Sequence, residues 1–129
     1  MLRILEWVHG WPEAGDALIW VDVEKADAAW RRDDFYIPPG APNHRLKYDR
    51  FGQWLATTSS PIQMPHVTLR YWTLSFTDGR HRFAWLRDQG AQTIAVTTDP
   101  KTVERMARVI GSMRRETVAK GLKLVQTST

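Results

Sequence analysis

The sequence predicts an α+β domain, and three observations lead there: apolar alternation with a period of two, helical spacing in the segments between, and a length that suits one core. The chain has 129 residues, of which 43% are hydrophobic and 11% aromatic. That length lies near the common domain size, and that composition supports a packed interior over a disordered chain. No internal repeat, linker or low-complexity stretch divides it, so residues 1–129 read as a single domain.

The elements follow in order. Ile4 to Val8 reads as a short strand and Ala17 to Val23 as a stronger one, rich in β-branched and aromatic residues. Glu24 to Arg32 reads as a helix with Ala26, Ala29 and Trp30 on one side and charges elsewhere. Asp33 to Asn43 is a loop, because Pro38-Pro39-Gly40 and Pro42 suit neither a helix interior nor a central strand. Helical spacing resumes from Arg45 to Ala56 through Leu46, Phe51, Trp54 and Leu55, and Thr57 to Pro61 breaks it. In His66 to Phe76, Val67, Leu69 and Tyr71 share one alternation while Trp72, Leu74 and Phe76 share the opposite one. A period of two cannot survive that slip, so two strands meet near Arg70 to Trp72. After a further strand at Thr93 to Val96, Asp99-Pro100 starts a C-terminal helix, with Asp99 as cap and Pro100 in the first turn. Val103, Met106, Ala107, Ile110 and Met113 are spaced to face the core.

Charge is uneven along the chain. Residues 1–98 carry 11 Lys plus Arg against 11 Asp plus Glu, and residues 99–129 carry 7 against 3, so the whole net charge of +4 lies in the last section. Lys101, Arg105, Arg108, Arg114, Arg115, Lys120 and Lys123 therefore make the predicted C-terminal helix basic, a face suited to DNA or an acidic partner, although most such faces are simply solvated. With no cysteine, disulfides, cysteine-ligated metals and thiol nucleophiles are excluded. His9, His44, His66 and His81 show no paired metal spacing, so no zinc is expected. No stretch approaches ~18 consecutive apolar residues and Met1 to Val8 lacks a signal-peptide core, which predicts a cytoplasmic protein with no membrane partner. Of the seven tryptophans, Trp20, Trp30, Trp54 and Trp85 read as core, whereas Trp7 and Trp11 read equally well as surface.

The segment from Phe76 to Gly90 carries the chemistry. Trp72, Leu74 and Phe76 form a half-buried strand, Asp78-Gly79 breaks it, and a helix follows that turns Phe83, Trp85 and Leu86 inward and Arg80, Arg87 and Asp88 outward, stopping at Gly90. The N-terminus of such a helix presents unpaired N–H groups and the positive end of its dipole to an anion. Arg80, His81 and Arg82 surround that point, although cations sit electrostatically better at a helix C-terminus. A solvated helix start and a phosphate grip are both compatible with this spacing. Arginine suits the second, since its planar fork donates two charge-assisted bonds.

The run Asp78-Gly79-Arg80-His81-Arg82, then Ala84, Gly90 and Thr93-Ile94-Ala95-Val96, resembles the signature of the ParB/sulfiredoxin superfamily. More narrowly, residues 18–98 resemble the plasmid fertility inhibition factor family, related to the oncogenic-suppression proteins of conjugative plasmids. That likeness rests on Val21-Asp22-Val23, Asp34-Phe35-Tyr36-Ile37, Tyr48-Asp49-Arg50-Phe51, Met64-Pro65 and residues 76–90. The resemblance implies a small mixed sheet with helices packed around it and a motif that holds the phosphates of ATP or another nucleotide with Mg²⁺. Gly79, Arg80, His81 and Arg82 would carry that binding. In sulfiredoxins a catalytic cysteine stands between the motif glycine and histidine; Arg80 stands there here, which removes sulfinic acid reduction.

Further candidates follow from the same likeness. Glu24, with Asp22, ends the second strand and in the superfamily fold an acid there approaches the pocket as a general base or Mg²⁺ contact; the plain alternative is a surface or helix-end carboxylate. Asp78 has three readings, namely helix cap, metal contact or orienter of an arginine, with capping the default. Tyr36, Tyr48, Arg50 and Phe51 are candidates to line one cleft behind the proline-rich loop, with Arg50 in reach of a phosphate, though Phe51 and Trp54 also read as core. Two function classes result. One is an NTPase or DNase that blocks conjugative transfer, with Asp78 or Glu24 positioning Mg²⁺ or water. The other is a non-catalytic protein that binds a component of the transfer machinery, for which exposed Trp7, Trp11 or Trp72 would serve.

Overall fold

The computed structural model describes residues 2–126 and builds two four-stranded sheets. The elements are β1 (Arg3–Val8), a 3-10 turn (Pro12–Ala14), β2 (Ala17–Asp22), α1 (Val23–Trp30), α2 (Arg45–Thr57), β3 (Ile62–Gln63), β4 (His66–Arg70), β5 (Thr73–Asp78), α3 (Arg80–Asp88), β6 (Thr93–Thr98), α4 (Val103–Ile110), β7 (Thr117–Ala119) and β8 (Leu122–Val125). One sheet runs β2-β6-β4-β5 and the other β3-β1-β8-β7. Both mix parallel and antiparallel pairs.

β6 is the middle of the molecule. All six of its residues are buried, as expected of a strand covered on both faces. Its threonines remain satisfied: Thr98 Oγ1 donates to Val67 O at 2.8 Å, and Thr97 Oγ1 lies 2.8 Å from His66 Nδ1. The phase slip between residues 66 and 76 is resolved by a hairpin. β4 and β5 pair antiparallel with Leu69 opposite Leu74 and Val67 opposite Phe76, so two opposite phases bring one apolar set to one face. Trp30 anchors the core beneath, its ring 4.6 Å from Phe76, 5.0 Å from Tyr36 and 5.7 Å from Phe83.

The C-terminal third differs from the sequence expectation. α4 ends at Ile110, Pro100 precedes its cap Thr102, and Asp99 Oδ1 holds the Lys101 amide in the preceding turn instead of capping the helix. Beyond it the chain is a hairpin, β7–β8, that adds to β1. Lys120 and Gly121 both have positive φ, the signature of a tight two-residue turn, and Thr117-Val118-Ala119 with Leu122-Lys123-Leu124 alternates on either side. The dispersed lysines and arginines masked that period. Met113, expected in the core, is 96% exposed. β3 went unseen because two residues carry no period. No helix among the described residues is long and apolar enough to cross a membrane.

Candidate functional site

β5 delivers the chain to the head of α3 through Gly79, whose φ of +87° strongly favours glycine. A Cβ there would also stand 2.8 Å from Pro65 Cα and Cβ, so the backbone is pressed against the β3–β4 connection. The Phe83 amide closes the first helical bond to Gly79 O at 3.0 Å, which leaves the amides ahead of it without an intrahelical acceptor. Asp78 does not cap them. Its Oδ2 instead accepts from Arg82 Nη2 at 3.1 Å and Gln63 Nε2 at 3.2 Å, while Arg82 Nε donates to Gln63 O at 3.1 Å. Of the three readings of Asp78, it orients an arginine, because the left-handed Gly79 turns its side chain away from the helix start.

α2 forms the facing wall. It approaches α3 closely because Gly52 has no side chain; a Cβ there would collide with the Trp85 indole nitrogen. Lys47, Arg50 and Trp54, spaced by three and four residues, share the face that opens on the α3 head. With Phe51, Pro61, Gln63, Asp78, Gly79, His81 and Arg82 they enclose a cleft of about 590 Å³. Arg80 turns the other way, its guanidinium 5.6 Å from the Phe35 ring centre, into an adjoining concavity of about 400 Å³ that shares Lys47 and His81. The His81 ring lies 5.6 Å from His44. Burial and the neighbouring charges of Arg80, His44 and Lys47 push His81 down to about 4. Five basic side chains thus meet around one helix start, and among the described residues the single acid lining the cleft, Asp78, is already paired with Arg82.

This geometry sits on a known scaffold. The solved structure of an oncogenic suppression activity protein, a plasmid fertility inhibition factor determined as a gold(I) cyanide derivative, matches with a TM-score of 0.63 and 22% identity, over 74% of this chain. The two chains share a fold. This chain spans 57% of the length of that fertility inhibition factor. No protein-family model matches the chain, and no curated protein does.

Within the fertility inhibition factor's fold, the two ends of α3 are separate places. Glu24 is exposed beside Asp22 and Gln92, at the C-terminal end of α3, in a concavity of about 350 Å³ that also takes in Asp27 and Arg87. The nine residues of α3, about 13 Å of helix, separate it from Asp78, so the two candidate acids do not share a site. Asp22 caps α1, accepting from the Lys25 amide at 3.0 Å. Tyr36 and Tyr48 also leave the cleft. Tyr36 Oη donates to Asp27 at 3.1 Å and Tyr48 Oη to Asp88 at 2.7 Å.

Those tyrosines belong to a buried network the helical spacing misplaced. Arg87 and Asp88, expected outside, keep side-chain exposures of only 7% and 12%. Arg87 Nη1 donates to Asp27 at 3.0 Å and to Ile37 O at 2.7 Å, and its Nε to Asp88 at 2.9 Å. Its Nη2 has no partner among the described residues, the guanidinium lying 5.8 Å from the Trp30 ring and 5.6 Å from Tyr36. Burial opposes the charge on Asp88, but bonds from Arg87, Tyr48 and the Gly40 amide hold its carboxyl below the ordinary range. Burial and the same contact push Tyr48 up to about 12. Of the predicted site residues, Asp78, Gly79, His81, Arg82, Arg50 and Phe51 meet in the cleft and Arg80 stands at its rim. Sequence reasoning missed His44 and Lys47 and took Trp54 for core, although it is 43% exposed on the cleft wall. The 47-50-54 spacing on one helix face was the available signal.

Proposed function

We propose that the α2–α3 cleft holds the phosphates of a nucleotide and that the protein acts as a fertility-inhibition-type factor, restraining conjugative DNA transfer. The observation that carries this reading is the open helix start at Gly79, ringed by Lys47, Arg50, Arg80, His81 and Arg82 with no unpaired acid facing it among the described residues. The half-exposed Trp54 beside Pro61 gives a flat apolar wall where a base would stack. Placement in the ParB/sulfiredoxin superfamily is the finer part of the reading and rests on the Asp78-Gly79-Arg80-His81-Arg82 run. Among the described residues no group of three or more His, Asp or Glu could hold a metal, so Mg²⁺ would enter on the nucleotide's own phosphates. When Arg82 turns onto a phosphate, Asp78 is freed to orient water, the one route to ATPase or DNase turnover that the cleft offers. Glu24 has no part in that step from the far end of α3.

Calorimetric titration of ATP, CTP and GTP with Mg²⁺ tests the cleft. Binding of at least one, weakened about tenfold in Arg80→Ala or Lys47→Ala, is the expected result. No heat with any of them on the native protein would sink the reading. A non-catalytic interaction reading also has an observation behind it, since Trp11 and Trp72 are 64% and 59% exposed. DNA contact through the C-terminal cations loses much of its helix: α4 stops at Ile110 and Arg105 is bound to main-chain carbonyls.

A further inference from the structure

The β4–β5 hairpin turns through Tyr71 and Trp72, between the paired residues Arg70 and Thr73. A two-residue hairpin turn favours glycine, asparagine or aspartate at its first position, where φ is positive. Tyr71 occupies it at φ +56°. A bulky aromatic in the left-handed region is strained and persists only where its surroundings over-determine it. Here α4 supplies the lock: Arg105 Nη1 donates to Tyr71 O at 2.7 Å and Nη2 to Leu69 O at 2.6 Å. The clamped turn holds Tyr71 and Trp72, 78% and 59% exposed, outward on a fixed backbone. Rigid aromatics presented at no further ordering cost are what binding hot spots are made of.

We propose that this tip is a protein-docking surface whose occupant is the acidic surface of a protein partner, with Trp72 seated in an apolar pocket of that partner. Charge selects the partner. Lys101 and Arg108 flank Arg105 at helical spacing, and with Arg70 they make no ion pair among the described residues. The nearby acids, Asp33, Asp99 and Glu104, are fewer than the cations Arg70, Lys101, Arg105 and Arg108, and Asp33 and Asp99 are turned to Ser75 and the Lys101 amide. A concavity beside the tip carries the hydroxyls of Thr68, Thr73 and Thr102, a hydrogen-bonding rim suited to protein. The surface does not rest on the nucleotide reading: five residues of β5, about 17 Å, separate it from Asp78.

The test replaces Trp72, and separately the exposed Val118, with photoreactive benzoylphenylalanine in the full chain inside the producing cell. The expected result is one discrete protein adduct from position 72 that position 118 does not give. Once identified and purified, that protein binds the native chain about tenfold or more tighter than Trp72→Ser, binds Arg108→Glu more weakly, and loses affinity with salt. Both variants retain the native circular dichroism and thermal melting. No adduct, an adduct with nucleic acid or with a second copy of this chain, or a captured protein whose affinity Trp72→Ser leaves unchanged would each overturn the proposal.

Discussion

The two ends of α3 are made of similar residues and do opposite things. At the head, Arg80 and His81 sit half-buried around open amides, and burial together with the charge of Arg80 favours the neutral form of His81. At the tail, Arg87 is enclosed by Asp27, Asp88 and the Ile37 carbonyl, on the faces of Trp30 and Tyr36. The head holds more positive charge than its fold can satisfy; the tail balances each charge with a partner. A surplus of one sign at a helix N-terminus invites a ligand, and a closed network locks elements together. Asp88 does the locking, joining α2 through Tyr48 and the proline loop through the Gly40 amide.

The contrast breaks most visibly on truncation. Arg87→Ala should lower stability by about 3–5 kcal/mol, since it takes from Asp27 and Asp88 the buried cation they share, while Arg80→Ala should stay within about 0.5 kcal/mol. Urea unfolding of the two variants reads this directly, and equal losses would erase the distinction. Gly79→Ala comes next, because it imposes both a positive φ and a contact with Pro65. A loss of about 1–3 kcal/mol is expected, with weakened nucleotide binding, measured on the same protein by thermal melting and calorimetry.

The smallest effect is in pH. The folded pKa of His81 is about 4, against roughly 6.5 when unfolded, so between those values the unfolded chain takes a proton the fold refuses, and stability falls as pH drops. Asp88, depressed by its bonds, contributes stability above the unfolded carboxylate value, near 3.9, and loses it as pH falls further through its folded value. His81→Asn should therefore flatten the upper window of a stability–pH curve and leave the acid one. A bound phosphate should raise the His81 pKa from about 4, so binding tightens as pH falls below that raised value toward 4.

Much of this was legible before the fold. The slip near Arg70 to Trp72 announced two strands meeting there, Pro38 to Pro42 a loop, and Asp78-Gly79 the head of α3. What misled was charge. Arg87 and Asp88 read as an outer face because helical spacing assigns charged positions to water, and nothing local says that Asp27, sixty residues earlier, waits inside. The same habit turned Lys120 and Lys123 into a basic helix, hiding the β7–β8 hairpin whose period of two lay beneath them. That stretch is two strands of a sheet and not a detachable basic tail.

By itself the sequence determined the elements from β1 to β6 apart from the two-residue β3, the absence of thiol chemistry and the cluster Gly79-Arg80-His81-Arg82 at a helix start, because period, composition and turn residues act within a few positions of themselves. Only the tertiary structure decided which arginines face water and which are sealed, that Glu24 and Asp78 lie at opposite ends of one helix, and that Lys47, Arg50 and Trp54 complete the cleft. Those outcomes depend on which distant segments meet. Burial turns one guanidinium into a structural tie, and its partial absence leaves another free for a ligand.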